Sequence, residues 1–291
     1  MKVATFRQLH HLNSPLLLPN AWDVGSALAF TEAGYRAVGT TSFGIAASAG
    51  LPDGGRSSKA ATLALVARMR PLHVHVTADI ENGYSDDPAE VASFVAQLAA
   101  LGVAGINIED SVDGHLTDSA AVAATVAAVK RSSPDVFINA RVDNLWFAQQ
   151  ATVDAVLLRA RTYVDAGADG VFVPGLASPE DIRSITSGIG VPVNVLAHPT
   201  LTVAELGELG VRRVSSGSLP YRAAVDAAVH SVNALRDGRL VPMATSYWEM
   251  QARLESFRES VACANAETLS CLPGRYTVTL PVIDDDCQPS T

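Results

Sequence analysis

The chain has 291 residues, 48% hydrophobic and 18% charged, a balance that supports a large buried core and excludes a mainly disordered chain. Its formal net charge of −9 excludes a general basic field, so neither nucleic acid nor an anionic membrane surface is an expected partner. Residues 1–12 carry no apolar targeting segment, no run of ~18 apolar residues exists, and Cys263, Cys271 and Cys287 lack ligand or disulfide spacing; the expectation is a cytoplasmic protein.

Short apolar runs alternate along the chain with Ala-rich amphipathic stretches. Residues 16–19 predict a first strand, and residues 24–33 a helix closing on Gly34. Strands follow at 37–41 and 75–79, then a helix at 88–100 closing on Gly102. Residues 105–109 and 136–141 predict strands four and five. A helix at 154–166 closes on Gly167. Strand six is predicted at 170–174 and strand seven at 191–196. A helix at 203–209 closes on Gly210, and strand eight is predicted at 212–217. A glycine after the last periodic residue is the left-handed helix stop. Eight short strands alternating with helices predict an α/β fold, a (β/α)₈ TIM barrel over residues 1–240, in preference to an open doubly wound sheet. Residues 241–291 read as a C-terminal helical extension, helical over 247–266 and packing on the barrel or on a partner subunit, followed by a flexible tail.

In such a barrel the chemistry sits at the C-terminal ends of the strands. Strand one ends in Asn20, Trp22 and Asp23, and strand two in Thr41, Ser42, Phe43 and Gly44. Strand three ends in Asp79, Glu81, Asn82, Gly83 and Tyr84, strand four in Glu109 and Asp110, and strand five in Arg141 and Asp143. Strand seven carries Asn194. Asp79, Glu81 and Glu109 at one mouth repel each other unless a cation sits among them. Oxygen donors without cysteine favour a hard ion, Mg²⁺, with Mn²⁺ as the alternative. If strand three continues that far, the alternation Asp79-x-Glu81 puts both carboxylates on one face. Arg141 is placed to grip a substrate carboxylate through a bidentate pair. Asp87, Asp118 and Glu180 read as ordinary helix caps, and His73 and His75 as packing or surface residues.

The set Asn20-Ala21-Trp22-Asp23, Thr41-Ser42-Phe43-Gly44 through Gly50-Leu51-Pro52-Asp53, Asp79-x-Glu81-Asn82-Gly83-Tyr84, Glu109-Asp110 and Ala140-Arg141-Val142-Asp143 resembles the isocitrate lyase/phosphoenolpyruvate mutase superfamily. The resemblance implies a modified (β/α)₈ barrel, a homo-oligomer (dimer or tetramer) that swaps a C-terminal helix, and Mg²⁺-dependent action on small 2-oxo or 2-hydroxy acids through an enolate. It implies Asp79 as direct metal ligand, Glu81 as a ligand through water, and Glu109 and Asp53 as carboxylates around the metal. It implies that Arg141 holds the substrate carboxylate or oxo group. Thr41, with the backbone N–H groups of Ser42 and Phe43, would hold the acid's oxygens, with Trp22, Asp79 and Asn194 as further substrate contacts.

Two departures narrow the reaction. The lyases of this superfamily carry a Lys-Lys/Arg-Cys-Gly-His loop after strand four, whereas Glu109-Asp110 is followed here by Ser111-Val112-Asp113-Gly114-His115. The cysteine acid is missing, so classical isocitrate cleavage is not expected. Strand six ends in Phe172-Val173-Pro174-Gly175, without the glutamate common in the lyases, which suits a different substrate tail. His115, Tyr84 or a water are the candidates for proton transfer, with Glu109 and Arg141 in the catalytic set. The leading expectation is a carbon–carbon lyase or decarboxylase. The alternatives are P–C chemistry of the phosphonopyruvate hydrolase or mutase type, for which the lysine after Glu-Asp is absent, and a non-catalytic 2-oxo-acid-binding protein.

Overall fold

The computed structural model describes residues 4–270. Helix α1 (Phe6–Leu9) opens on a capping box at Thr5, and β1 (Leu16–Leu18) and β2 (Asn20–Ala21) follow. Next come α2 (Val24–Glu32), β3 (Ala37–Thr40), α3 (Ser42–Ser48), α4 (Lys59–Met69), β4 (His75–Asp79), α5 (Pro88–Ala100) and β5 (Gly105–Ile108). A small antiparallel hairpin, β6 (Ser111–Val112) and β7 (His115–Leu116), precedes α6 (Ser119–Ser132) and β8 (Phe137–Arg141). The barrel is completed by α7 (Val153–Asp165), β9 (Gly170–Phe172), α8 (Pro179–Gly188), β10 (Val193–Leu196), α9 (Val203–Glu208), β11 (Arg213–Ser215) and α10 (Leu219–Arg236).

Closure is visible in the strand order. The parallel sheet runs β1-β11-β10-β9-β8-β5-β4-β3-β2. Its two edges, β1 and β2, are consecutive pieces of one chain segment separated by Pro19. Leu16 pairs with Arg213 on one side, and Asn20 pairs with Gly39 on the other. Proline has no N–H to donate to a ladder, so the break falls where the segment passes from one neighbour to the other. The eight expected staves are therefore present, the first of them in two parts.

The apolar runs became strands because both faces are covered: Val38, Ile106, Ile138, Val171 and Val195 are all buried. The helices pack through stripes such as Val91, Phe94, Val95 and Leu98 on α5. The barrel interior also contains polar residues. Asn107 Oδ1 accepts from Asn139 Nδ2 at 2.9 Å and from Arg213 Nη2 at 3.1 Å, so the guanidinium reaches across from β11 to β5. Under it, His10 stacks on Phe137 at 4.2 Å and bonds to Phe6 O through Nδ1.

The chain divides into two compact units, Met1–Ala244 and Thr245–Thr291. The second contains α11 (Tyr247–Ser270), with Tyr247 and Trp248 exposed. The tail expected over 273–291, with Cys271 and Cys287, lies outside the described residues. Among the described residues no helix is long and apolar enough to cross a membrane.

Candidate active site

Strand ends aim the charged groups at one place. β4 terminates at Asp79, whose N–H donates to Thr40 Oγ1 at 2.8 Å. Its carboxylate turns toward the start of α3 and accepts the Ser42 N–H at 3.2 Å. Burial pushes the Asp79 pKa up to about 6; Arg141 and the Ser42 N–H pull it down, and Asp53 pushes it further up. Glu109, just after β5, is pushed up to about 8, first by burial, with Asp79, Asp143 and Asp53 adding to the rise and Arg141 opposing it. Burial lowers the Arg141 pKa, but Glu109, Asp143 and Asp79 outweigh it and hold the guanidinium firmly charged.

Arg141 is gripped from two sides. Its Nε donates to Asp143 Oδ1 at 2.5 Å, and its Nη1 donates to Glu109 Oε1. Asp143 is fully buried; its other oxygen accepts the Ser111 hydroxyl at 2.6 Å, and its N–H donates to Asp110 Oδ1 at 2.8 Å. Asp110 is held in turn by Arg159 Nε and the Tyr163 hydroxyl, both at 2.7 Å. A rotamer-rich side chain is thereby fixed before any ligand arrives, which lowers the entropic cost of binding.

Glu81 reaches the site differently from the expectation of a continued strand. β4 stops at Asp79, and Glu81 takes φ 49°, in the left-handed region. Its carboxylate accepts the Ser58 hydroxyl at 2.6 Å and the Arg56 N–H at 3.0 Å. Tyr84 supports this turn: its hydroxyl lies 3.0 Å from Ser58 Oγ and 3.2 Å from Thr62 Oγ1, and burial pushes its pKa upward. Gly83 has φ 92°, and a Cβ there would meet Val91 at 2.6 Å, so the turn accepts only glycine without strain.

A cavity of about 290 Å³ opens above these groups. Asp53, Glu81, Glu109 and Arg141 line it, together with Asp113, Trp146 and Phe147. The β6–β7 hairpin forms one lip, with Asp113 and Gly114 both at positive φ in its turn. Gln149 clamps the hairpin, accepting from Leu116 N at 3.1 Å and donating to Gly114 O at 2.7 Å.

The other expected site residues, Asp79 included, are not among those that line this cavity. Thr41 caps α3, its hydroxyl accepting from Gly44 N at 3.3 Å. Trp22 and Phe43 both meet the Tyr221 ring, at 5.5 and 6.0 Å. Asn194 is buried on β10, and neither of its side-chain amide atoms has a hydrogen-bond partner among the described residues. His115 is exposed on β7 and is not among the cavity-lining residues. Residues that a reading of strand ends passes over are Ser58, Arg56, Trp146 and Phe147, all supplied by loops. Asp143 was within reach, because it follows Arg141 by two residues, as Glu81 follows Asp79.

The donor set fits a hard divalent cation. Asp79 and Glu109 are half-buried carboxylates that repel each other, and a cation between them would reverse that penalty. No group of three or more protein ligands is already gathered among the described residues. Water and substrate oxygens would have to complete the shell of any ion held here.

The chain is similar to several known proteins. The sequence signature of the phosphoenolpyruvate phosphomutase family matches residues 6–236. An uncharacterized protein of Mycobacterium tuberculosis is 51% identical over 253 residues, covering 87% of this chain and 97% of the relative. A 2-methylisocitrate lyase of Salmonella typhimurium is 32% identical over 251 residues, covering 79% of this chain and 83% of that protein. The crystal structure of a 2,3-dimethylmalate lyase, a member of the PEP mutase/isocitrate lyase superfamily, superposes with a TM-score of 0.78 at 25% identity, covering 91% of this chain and 99% of that one.

Proposed function

The chain belongs to the phosphoenolpyruvate phosphomutase family, within the isocitrate lyase/PEP mutase superfamily, and from that membership we propose a Mg²⁺-dependent carbon–carbon lyase or decarboxylase acting on a small 2-oxo or 2-hydroxy acid. The observation that carries the reading is the Arg141 guanidinium, held by Glu109 and Asp143, in the wall of a cavity that Asp53, Glu81 and Glu109 also line.

Asp79 would hold the cation, with Glu81, Glu109 and Asp53 completing its surroundings; Mn²⁺ would be accepted in its place. When bound, the ion supplies Lewis-acid stabilisation of the substrate's oxygens. Arg141 presents its remaining N–H groups to the substrate carboxylate and fixes its orientation. Breaking a bond on the carbon adjacent to the 2-oxo carbonyl would leave an enolate, whose negative charge the half-buried Arg141 guanidinium stabilises. Glu109, which lines the cavity against Arg141, is the side chain placed to pass a proton to the departing carbon. His115 would need the hairpin to move to do so. The Tyr84 hydroxyl is committed to Ser58 and Thr62, which supports a role in holding the Glu81 turn.

The barrel at 1–240 is the catalytic part of this proposal, and residues 241–291 are an appended extension. Val225, Val229, Val232 and Leu235 form an exposed apolar row on α10, which supports association of several copies into a homo-oligomer.

The test is turnover with Mg²⁺ on a panel of substituted malates and 2-oxo diacids. Release of pyruvate or glyoxylate, or decarboxylation, supports the proposal. Phosphate release from phosphonopyruvate alone would move the reaction to P–C chemistry. Tight Mg²⁺-linked oxalate binding without turnover of any panel member would mark a binding protein instead.

A further inference from the structure

The charge on the cavity wall limits what the far end of the substrate can be. Four carboxylates line the cavity, Asp53, Glu81, Glu109 and Asp113, against two guanidiniums, Arg56 and Arg141. Both guanidiniums are already committed, Arg141 to Glu109 and Asp143, and Arg56 to Asp86. After Arg141 takes the reacting carboxylate, the other lining cation is Arg56, which is paired with Asp86. A carboxylate further along the substrate would face Asp113, exposed at the turn of the lip.

The outer wall is apolar. Val112, Trp146 and Phe147 line it, and Trp146 is 50% exposed. Its ring lies 5.8 Å from the Arg141 guanidinium, so a substituent on an acid gripped by Arg141 would project along the indole. The Gln149 clamp holds the hairpin that carries Val112, so this wall is preformed.

The geometry points to a subsite at Val112, Trp146 and Phe147 for an uncharged, apolar substituent of the substrate, so that the enzyme favours alkyl-substituted acids over those bearing an additional carboxylate arm. This inference rests on the proposed oxo-acid site at Asp79 and Arg141, and adds the class of substituent to it. Covering two methylene groups is worth about tenfold in affinity, and placing a carboxylate on the same wall, with both lining guanidiniums already paired, removes that gain.

The experiment is calorimetry of the full-length protein at saturating Mg²⁺ with oxalate, pyruvate, 2-oxopentanoate and 2-oxopentanedioate. The last two have the same chain length and differ in the terminal carboxylate. The expected result is that 2-oxopentanoate binds about tenfold more tightly than pyruvate, while 2-oxopentanedioate gains nothing over pyruvate. In Trp146→Ala the ratio between 2-oxopentanoate and pyruvate should fall toward one. In Val112→Lys the preference should shift toward the diacid. Oxalate binding accompanied by equal or tighter binding of the diacid in the wild-type protein would overturn this inference alone. Failure of oxalate and pyruvate to bind at all would overturn it together with the oxo-acid site.

Discussion

Asp143 gives the sharpest mutational test of how the site is built, because it touches Arg141 without lining the cavity. Asp143→Ala deletes the acceptor of Arg141 Nε and leaves the guanidinium anchored only through Nη1 to Glu109. A hydrogen bond between charged groups contributes roughly 1.5–3 kcal/mol, so acid affinity should fall by about 10- to 150-fold. Asp143→Asn keeps the shape. Its amide oxygen can still accept from Nε, and its NH₂ can donate to Ser111 Oγ once that hydroxyl rotates, so the loss should stay within about fivefold. The assay is calorimetric titration of oxalate at saturating Mg²⁺, with circular dichroism melts confirming that each variant is folded. If Asn proved as damaging as Ala, the charge of Asp143 and not its placement of Arg141 would matter. If both bound oxalate like the wild type, the positioning argument would fail.

Three further outcomes follow from the same contacts. Tyr84→Phe removes a hydroxyl bonded to Ser58 and Thr62, so urea unfolding should show a loss of about 1–2 kcal/mol, while the pH profile of turnover keeps its shape; a lost basic limb would show that the phenol titrates in the reaction. Gly83→Ala puts a Cβ 2.6 Å from Val91 Cγ1 at φ 92° and should cost about 2–4 kcal/mol by the same measurement; wild-type stability would contradict the described turn. His10 has a pKa lowered to about 3, chiefly by burial and then by Arg213. The folded state therefore binds this proton less readily than the unfolded chain. The stability it preserves is complete above pH 6.5 and is lost as pH falls toward 3, reaching about 2 kcal/mol at pH 5. Denaturation midpoints of wild type and His10→Asn between pH 5 and 7 should diverge by that one-proton slope, and parallel curves would refute the assignment.

The barrel was legible in the sequence because its strands are covered on both faces, so each reads as a short apolar run, and several of the helices between them close on a stop glycine. Gly102, Gly167 and Gly210 all have positive φ, as that reading requires. Asp79, Glu109 and Arg141 were legible because they end strands, and the barrel fixes where strand ends meet. Glu81 was only half legible. Alternation places a side chain while the strand lasts, and β4 ends two residues earlier, so Ser58 and the Arg56 N–H set its direction. Trp146 and Phe147 follow β8 in a loop whose path no periodicity encodes. Arg213 was invisible for another reason: a charged residue in a strand reads as exposed, and here it lies across the barrel interior, with Asn107 as its acceptor.

The central claim is that Asp79 holds a hard divalent ion which shares a small acid with Arg141. Electron paramagnetic resonance of Mn²⁺ added to the wild-type protein and to Asp79→Ala tests it most directly. The account predicts one bound ion per wild-type chain, a spectrum altered by oxalate, and loss of both effects in a variant that remains folded. Equal Mn²⁺ binding by the two proteins, or a bound-ion spectrum that oxalate leaves unchanged, would contradict it.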